Sequence, residues 1–434
     1  MLSYEESLKL VLEQTVQPMP VEYVDIDDAA YRVAACDIVS PISNPAFNNA
    51  AMDGFAISVS EATRGTSSIA HPMEFVSEGI ITAGMASIDA RPLAENEHEL
   101  PTACEIMTGA IVPENFNAVV RIEDVEVSRD AVGRATRIKL KRQVSPLENI
   151  RMRGDDFFEN TTLIKEGTVL EPQHLMAAAA CGIRTLSVKK IPTLSCFCTG
   201  DELIRPSCQE PAKLPAGKIF SSNDTFLKNV FGKLASVSFH QDASDDPKAL
   251  VTAFRSILDT APDIVITTGA VSMGTKDFVP TALKEIEASI IFHKVAIRPA
   301  KPMLMAVKDL PAGKRSVFFC LPGNPISAVV ACRFFVLPYL FALLGIPAEI
   351  PIKARLASPL KKPENLRCFY FGSFAEDANL RREIRVSPSQ KSFMLLPFLK
   401  SNAWVILNEQ RSNLEQGEEV DCLPLYPRWS SIIQ

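Results

Sequence analysis

The sequence predicts a multidomain chain centred on a doubly wound, mostly parallel α/β domain, with a β-rich N-terminal module and a small C-terminal β domain. Three observations lead there. Strand-like and helix-like segments alternate between residues 191 and 347, the pattern of a parallel sheet covered on both faces. Residues 41–145 instead carry short Val-, Ile- and Thr-rich runs broken by Pro, Gly and Asn, such as Ala118 to Ile122 and Thr136 to Leu140. Short runs of the same kind, such as Ala403–Leu407, return after residue 348. The 434 residues, at about 150 per domain, allow roughly three domains. The expected division is a helical and linker domain from 1–40 with 146–190, a β-rich inserted domain at 41–145, the α/β domain at 191–347 and a β domain at 348–434.

The elements follow in order. Tyr4, Leu8, Val11 and Leu12 recur at helical spacing, and Ser3 with Glu6 makes a capping box, so residues 3–15 read as an amphipathic helix. Residues 172–182 read as a short helix with Pro172 at its start and Gly182 at its end. A strand is expected at Thr193–Cys198, then a helix from about Asn223 to Leu234, a strand at Ser236–His240 and a helix from Asp246-Pro247. Leu250, Phe254, Ile257 and Leu258 give that last helix one apolar face. Strands are expected again at Asp263–Thr268, Ile290–Ile297 and Ser316–Cys320, with helix over Thr281–Ala288 and after Cys320. Ile326 to Ile346 is apolar enough to raise the question of a membrane span. Arg333 near its centre costs about 2.5–3.5 kcal/mol on insertion scales, and Pro338 breaks the hydrogen-bond ladder. The segment is read as a buried helix followed by a connector.

Composition narrows the function. Apolar residues at 47% and charged residues at 22% describe a globular chain, which excludes a disordered or fibrous one. The net charge of −6 argues against broad binding to nucleic acid. Ten Cys show no zinc or iron–sulfur spacing, and Cys196 and Cys198 read as buried reduced thiols. His71, His98, His174, His240 and His293 lie far apart. Glu5 and Glu6 stand where a secretory signal needs basic residues, so a cytoplasmic location is expected.

The chemistry gathers at the expected strand ends. Thr199-Gly200-Asp201-Glu202 follows the first strand, Gly269-Ala270 with Ser272 and Gly274 the third, and Pro322-Gly323-Asn324-Pro325 opens a helix after the last. Glycine lets backbone approach an oxyanion closely, and a helix N-terminus favours negative charge. One such loop is an ordinary turn; three on one sheet point to an anionic ligand. Lys294 and Arg298, four apart on an expected strand, share a face, and Lys301 follows in a turn. Glu202, Asp245 and Asp277 add carboxylates beside these cations, a combination that Mg2+ reconciles with substrate phosphates. Asp246 is read as a helix cap. In the N-terminal half, Asp53 within Asn48–Ala56 and Asp156 after Arg151-Met152-Arg153-Gly154 read as turn residues when taken alone.

Together the motifs NNAAMDGFA (48–56), IMTGAIVP (106–113), RMRGDD (151–156), TGDEL (199–203), SND (222–224), ITTGAVSMGTKD (266–277), KVAIRPAKP (294–302) and LPGNPISA (321–328) resemble the molybdopterin molybdotransferases, relatives of the gephyrin E domain and plant E-type domains. The resemblance implies an elongated chain that inserts molybdate into adenylylated molybdopterin with Mg2+ and releases AMP. It implies that Lys294, Arg298 and Lys301 attract molybdate and phosphate. Glu202, Asp245 and Asp277 would hold the cation or orient water. Thr199, Gly200, Asp201, Asn223, Gly269, Ser272, Gly274, Pro322, Gly323, Asn324, Pro325 and Ser327 would bind substrate. It further implies a homodimer in which Asp53, Thr108 and Asp156 complete the partner's site, with Thr108 and Gly109 binding substrate. Contacts with a molybdopterin adenylyltransferase and with apo-molybdoenzymes also follow, and neither nucleic acid nor membrane is expected.

The chain departs from the family pattern in places. Ala270 and Ala300 stand where the family usually has Gly, Thr275 and Ser221 where it often has an acid, Arg298 where it has Lys, and Phe371 where it commonly has Arg. Arg367 is a candidate substitute for the missing Arg. Two alternatives stay open on these grounds: a catalytically weakened binding or scaffold protein of the same fold, and a sibling enzyme that adenylylates molybdopterin or acts on another nucleotide.

Overall fold

The computed structural model describes residues 1–15, 17–59, 73–85, 100–205, 214–240, 247–271, 278–376 and 381–427. The chain divides into two compact units. One comprises Asp37–Ile164 with Met176–Ile183, and the other Met1–Cys36, Lys165–Leu175 and Arg184–Gln434.

The first unit is built on a six-stranded sheet: β1 (Gly54–Ile57), β2 (Glu74–Ile81), β3 (Thr102–Ile106), β4 (Ala118–Arg121), β5 (Val125–Arg129) and β6 (Ala135–Leu140), in the order β4-β1-β3-β2-β6-β5. Period-two alternation sorts its residues between two cores. Phe55, Ile57 and Val120 join Phe75 and Ile138 in one, whereas Ala56 and Val119 join Cys104 and Ile106 in the other.

The second unit opens with α1 (Tyr4–Glu13), held by the expected box: Glu6 N–H donates to Ser3 Oγ (3.2 Å) and Ser3 N–H to Glu6 Oε2 (2.8 Å). Its main sheet contains β7 (Thr193–Cys198), β8 (Ser236–Phe239), β9 (Ile264–Thr268), β10 (Ser289–His293), β11 (Leu304–Asp309) and β12 (Arg315–Leu321), in the order β8-β7-β9-β12-β11-β10. β8, β7, β9 and β12 are mutually parallel, and β11 runs antiparallel to both β12 and β10. Both faces are buried, which explains the continuous apolar runs. Leu194, Cys196, Ile266 and Phe319 face one core, and Phe197, Val265 and Phe318 the other.

Two expectations need correction here. β11 is an additional strand, and the expected strand Ile290–Ile297 stops at His293 because Lys294 turns left-handed, with φ +74°. The apolar run after Asn324 is also longer than a helix plus connector. It is one helix, Pro325–Leu344, that widens to π geometry over Cys332–Val336 just before Pro338. A wide turn absorbs the missing N–H and the ring clash that proline imposes on the preceding turn. The helix is long and apolar enough to cross a membrane, but 89% of an 18-residue apolar stretch of it is buried within the protein. Arg333 makes a bidentate pair with Glu349, at 2.6 and 2.9 Å.

The C-terminal strands β13 (Ile352–Leu356), β14 (Arg367–Glu376), β15 (Arg382–Val386), β16 (Ala403–Leu407) and β17 (Glu419–Pro424) close into a barrel, because β14 pairs with both β15 and β16. Cys368, Tyr370, Ile384 and Val405 contribute to the barrel's own core. Phe369, Phe371 and Trp404 join the larger core instead, where Phe369 stacks on Phe334 of the long helix at 3.8 Å.

Breaking the Arg333–Glu349 pair strands a carboxylate that is 13% exposed. Arg333→Met should therefore cost about 3 kcal/mol of unfolding free energy in urea. Adding Glu349→Leu should recover most of it.

Candidate active site

β7, β9 and β12 are neighbours and parallel, so their carboxyl ends lie along one edge of the sheet, the position where such sheets bind ligands. The loops that follow are packed against each other at backbone distance. Gly269 has φ +98°, and a Cβ there would lie 2.5 Å from Thr199 Oγ1 and 2.7 Å from Thr199 O. A Cβ on Gly323 would lie 3.6 Å from Gly269 Cα. Thr199 N–H donates to Thr268 O and Gly269 N–H to Leu321 O, each at 2.9 Å, so the three strand ends are tied in series. The Glu202 carboxylate folds back over Gly200, reaching within 2.7 Å of where a Cβ would stand. Asp201 and Glu202 are exposed. Asn223 Nδ2 donates to Gly323 O (3.0 Å), which joins the start of α2 (Asn223–Phe231) to the loop Pro322–Pro325. Asn324 occupies the N-cap position of the long helix without a side-chain capping bond, and Ser327 is buried in the first turn.

The three cations lie on the segment that follows β10, in an arrangement different from the expected one. β10 runs in the same direction as β12, so its end points to the same side, and His293 Nε2 lies 3.4 Å from Val271 O. Beyond it the chain doubles back. Lys294 N–H donates to Met303 O (2.9 Å) and Val295 N–H to Lys301 O (3.0 Å). Arg298 instead lies on a short strand, Ile297–Arg298, that pairs in parallel with β14, opposite Cys368. Lys294 and Arg298 therefore do not share one strand face, because Lys294 leaves the extended region. All three cations still belong to one doubled-back segment, with Arg298 and Lys301 exposed and Lys294 half-buried.

The departures from the family pattern also find their places. Ala270 and Ala300 keep left-handed backbone, with φ +51° and +72°. Phe371 is buried against Phe398 and Trp404. Arg367 does not replace the missing Arg: it bonds Glu409 (3.0 Å) and Glu5, and lies over the Tyr4 ring. Asp245, Ser272, Gly274, Thr275, Lys276 and Asp277, together with Asp246, lie outside the described residues. Of the carboxylate set, only Glu202 is therefore placed, and among the described residues no group of three His, Cys, Asp or Glu gathers as a metal site. In the sequence, Cys198 reads only as a buried thiol and Asp224 only as part of the SND motif, and the link between them is missed. Their side chains bond each other beside the first loop. An acid directly after Asn223 was the available signal.

In the other unit, three motifs distant in sequence knit into one surface. Gly109 N–H donates to Ala50 O (2.8 Å), Val112 N–H to Asn48 O (3.0 Å) and Ala51 N–H to Asn149 O (2.8 Å). Arg153 N–H donates to Asn48 Oδ1 (2.8 Å). Asp53 accepts from Thr108 N–H (2.7 Å) and Oγ1 (2.8 Å), and these bonds hold its exposed carboxyl below the usual carboxylate range. Asp156 accepts from Asn44 Nδ2 (3.0 Å). Asp53 is thus a preoriented, exposed anion and not only a turn former.

Comparison with known proteins identifies the architecture. Residues 2–182 match the MoeA N-terminal region, 195–342 a probable molybdopterin binding domain, and 353–425 the MoeA C-terminal region. A molybdopterin molybdenumtransferase of Synechococcus elongatus is 33% identical over 425 residues, covering 97% of this chain and 98% of the relative. One from Haemophilus influenzae is 29% identical over 428 residues, covering 98% of each. A crystal structure of a Pyrococcus horikoshii molybdopterin biosynthesis moeA protein superposes with a TM-score of 0.75 at 26% identity, covering 98% of this chain and all of that one. The chain belongs to the molybdopterin molybdenumtransferase family. It is a transferase of molybdenum cofactor biosynthesis.

Thr108→Val removes the side-chain donor to Asp53 and leaves the amide, so Asp53 should titrate closer to an ordinary carboxyl, yet still below it. The contribution of the pair is present above the ordinary carboxylate range and is lost as pH falls through the lowered folded-state pKa. Carboxyl NMR titration checks this. Ala270→Gly relieves left-handed strain of about 1 kcal/mol and should stabilise the chain slightly in thermal unfolding. Ala300→Gly should be near neutral, because a buried methyl worth about 0.8 kcal/mol is lost in exchange.

Proposed function

We propose that the chain transfers molybdenum from molybdate into the dithiolate of adenylylated molybdopterin, with Mg2+-dependent hydrolysis of the adenylyl bond and release of AMP. The observation that carries this reading is the glycine-lined edge at Thr199, Gly269 and Gly323, with Lys294, Arg298 and Lys301 on the segment that follows β10. Such an edge suits a ligand with a flat ring and several anionic oxygens.

Lys294, Arg298 and Lys301 draw in molybdate and the substrate phosphates. Asn223, Ser327 and the loop Pro322–Pro325 hold the pterin side, and Thr199 to Asp201 with Gly269, Ser272 and Gly274 line the phosphates. Glu202, Asp245 and Asp277 supply the hard oxygen donors that Mg2+ prefers; the exposed Glu202 at its strand end fits that chemistry. Mg2+, when bound, neutralises phosphate charge and polarises a phosphoryl oxygen. The carboxylates orient a water towards the adenylyl phosphorus. The bond from that phosphorus to the pterin-side phosphate breaks, and AMP leaves. The two pterin thiols bind molybdenum through sulfur and give their protons to one oxo ligand, which departs as water. Asp53, Thr108, Gly109 and Asp156 act in the partner's site of a cytoplasmic homodimer, and a molybdopterin adenylyltransferase and apo-molybdoenzymes stand upstream and downstream. The buried Phe371 and the paired Arg367 favour a second reading, a slow-turnover protein that binds adenylylated molybdopterin.

AMP release from the purified chain, given adenylylated molybdopterin, Mg2+ and varied molybdate, separates the two. Molybdate-dependent release should appear, and Glu202→Gln should lower its rate by about 10²-fold or more. Tight binding without release would move the assignment to the second reading. Mixing Asp53→Asn with Glu202→Gln chains should restore release through one sound site per heterodimer, and no recovery would contradict the shared site.

A further inference from the structure

The loop Thr199–Ile204, which carries Gly200 and Glu202, is fastened at both of its ends to one carboxylate. Cys198 Sγ, just before the loop, donates to Asp224 Oδ1. Arg205 Nε, just after it, donates to Asp224 Oδ2 (2.9 Å). A third donor, Ser221 Oγ, reaches Oδ1 at 3.1 Å. Ser221 ends the segment on which the loop rides: Leu203–Ile204 pairs with Ile219–Phe220, Ile219 N–H donates to Glu202 O (2.8 Å) and Ser221 N–H to Ile204 O (2.8 Å). Arg205 also donates from Nη2 to His240 O (2.9 Å), beyond the end of the edge strand β8. Thr268 Oγ1 holds Cys198 Sγ from the β9 side at 3.1 Å.

The Asp224 side chain is only 14% exposed, and both of its oxygens are engaged. It sits in the first turn of α2, next to Asn223, whose side chain holds the Gly323 loop. One short helix start therefore braces two of the three loops at the sheet edge. Charge-assisted bonds such as that from Arg205 are stronger than neutral ones, and their geometry is restrictive. A loop closed at both ends on one anchor has few other conformations available.

We propose that Asp224 is a positioning residue, which fixes the loop Thr199–Ile204 at both ends and thereby sets where the Glu202 carboxylate stands. The role of Glu202 in turnover rests on the transferase reading above; the clamp does not. Asp224→Asn keeps the shape and removes the charge, so the Arg205–Asp224 ion pair is lost.

The test is backbone hydrogen exchange on the full chain, read beside AMP release. In Asp224→Asn, exchange over 199–205 should rise by about tenfold, while peptides from the barrel strands β14 and β16 exchange as in the wild type. The kcat for AMP release should fall by about tenfold with KM for adenylylated molybdopterin nearly unchanged, since a misplaced group slows the reaction without weakening binding elsewhere. Arg205→Lys keeps the charge and loses the guanidinium fork, so it should shift both readouts in the same direction by less; it also serves if Asp224→Asn fails to fold. Wild-type exchange over 199–205 in both variants would overturn the proposal. Raised exchange with no AMP release even from the wild type would support the clamp and sink the transferase reading. Raised exchange with unaltered kcat would overturn the link to Glu202.

Discussion

The closeness of three loop backbones at the carboxyl edge of the parallel strands is the constraint on which the rest depends. Gly269 lies where Thr199 leaves no room for a side chain, and Gly323 faces Gly269 in turn. That contact exists because β7, β9 and β12 are adjacent and parallel, with both faces of the sheet buried. The two cores hold the strands in register, the register sets the loop ends side by side, and the missing side chains leave a surface that backbone and small groups line. β10, despite its antiparallel neighbour, runs the same way as β12, so the segment that carries the cations starts from the same side of the sheet.

The remainder of the second unit braces this edge. The long helix that opens at Pro325 is buried along its length and carries Phe334 against Phe369 of the barrel. Arg298 adds to the barrel strand β14, so the cationic segment is fixed by the sheet at one end and by the barrel at the other. Phe371 belongs to this bracing core. In this chain the position contributes packing and not charge.

Much of this was legible in the sequence, for identifiable reasons. Helical periodicity with a Ser3–Glu6 box specifies α1, and apolar runs punctuated by Gly and Pro locate β7, β9 and β12 together with the loops that follow them. Local signals mislead where tertiary structure overrides them. Lys294 and Arg298 have the spacing of a shared strand face, but Lys294 adopts left-handed backbone to close a doubled-back segment. Pro338 reads as a helix stop, yet a π turn carries the helix past it because its surroundings are almost wholly buried. Asp224 escapes detection because its importance lies in partners brought from Cys198, Arg205 and Ser221 by the fold. The Asp53–Thr108 bond likewise joins residues 55 apart in sequence.

Gly269→Ala tests the central constraint most directly. It places a methyl 2.5 Å from Thr199 Oγ1, on backbone with φ +98°. Binding of adenylylated molybdopterin, measured by calorimetry on chain whose circular dichroism matches the wild type, should be lost or weakened by about 10²-fold, a cost of roughly 3 kcal/mol. Wild-type affinity in that variant would contradict the account, because it would mean that the ligand does not depend on the close approach of these three loops.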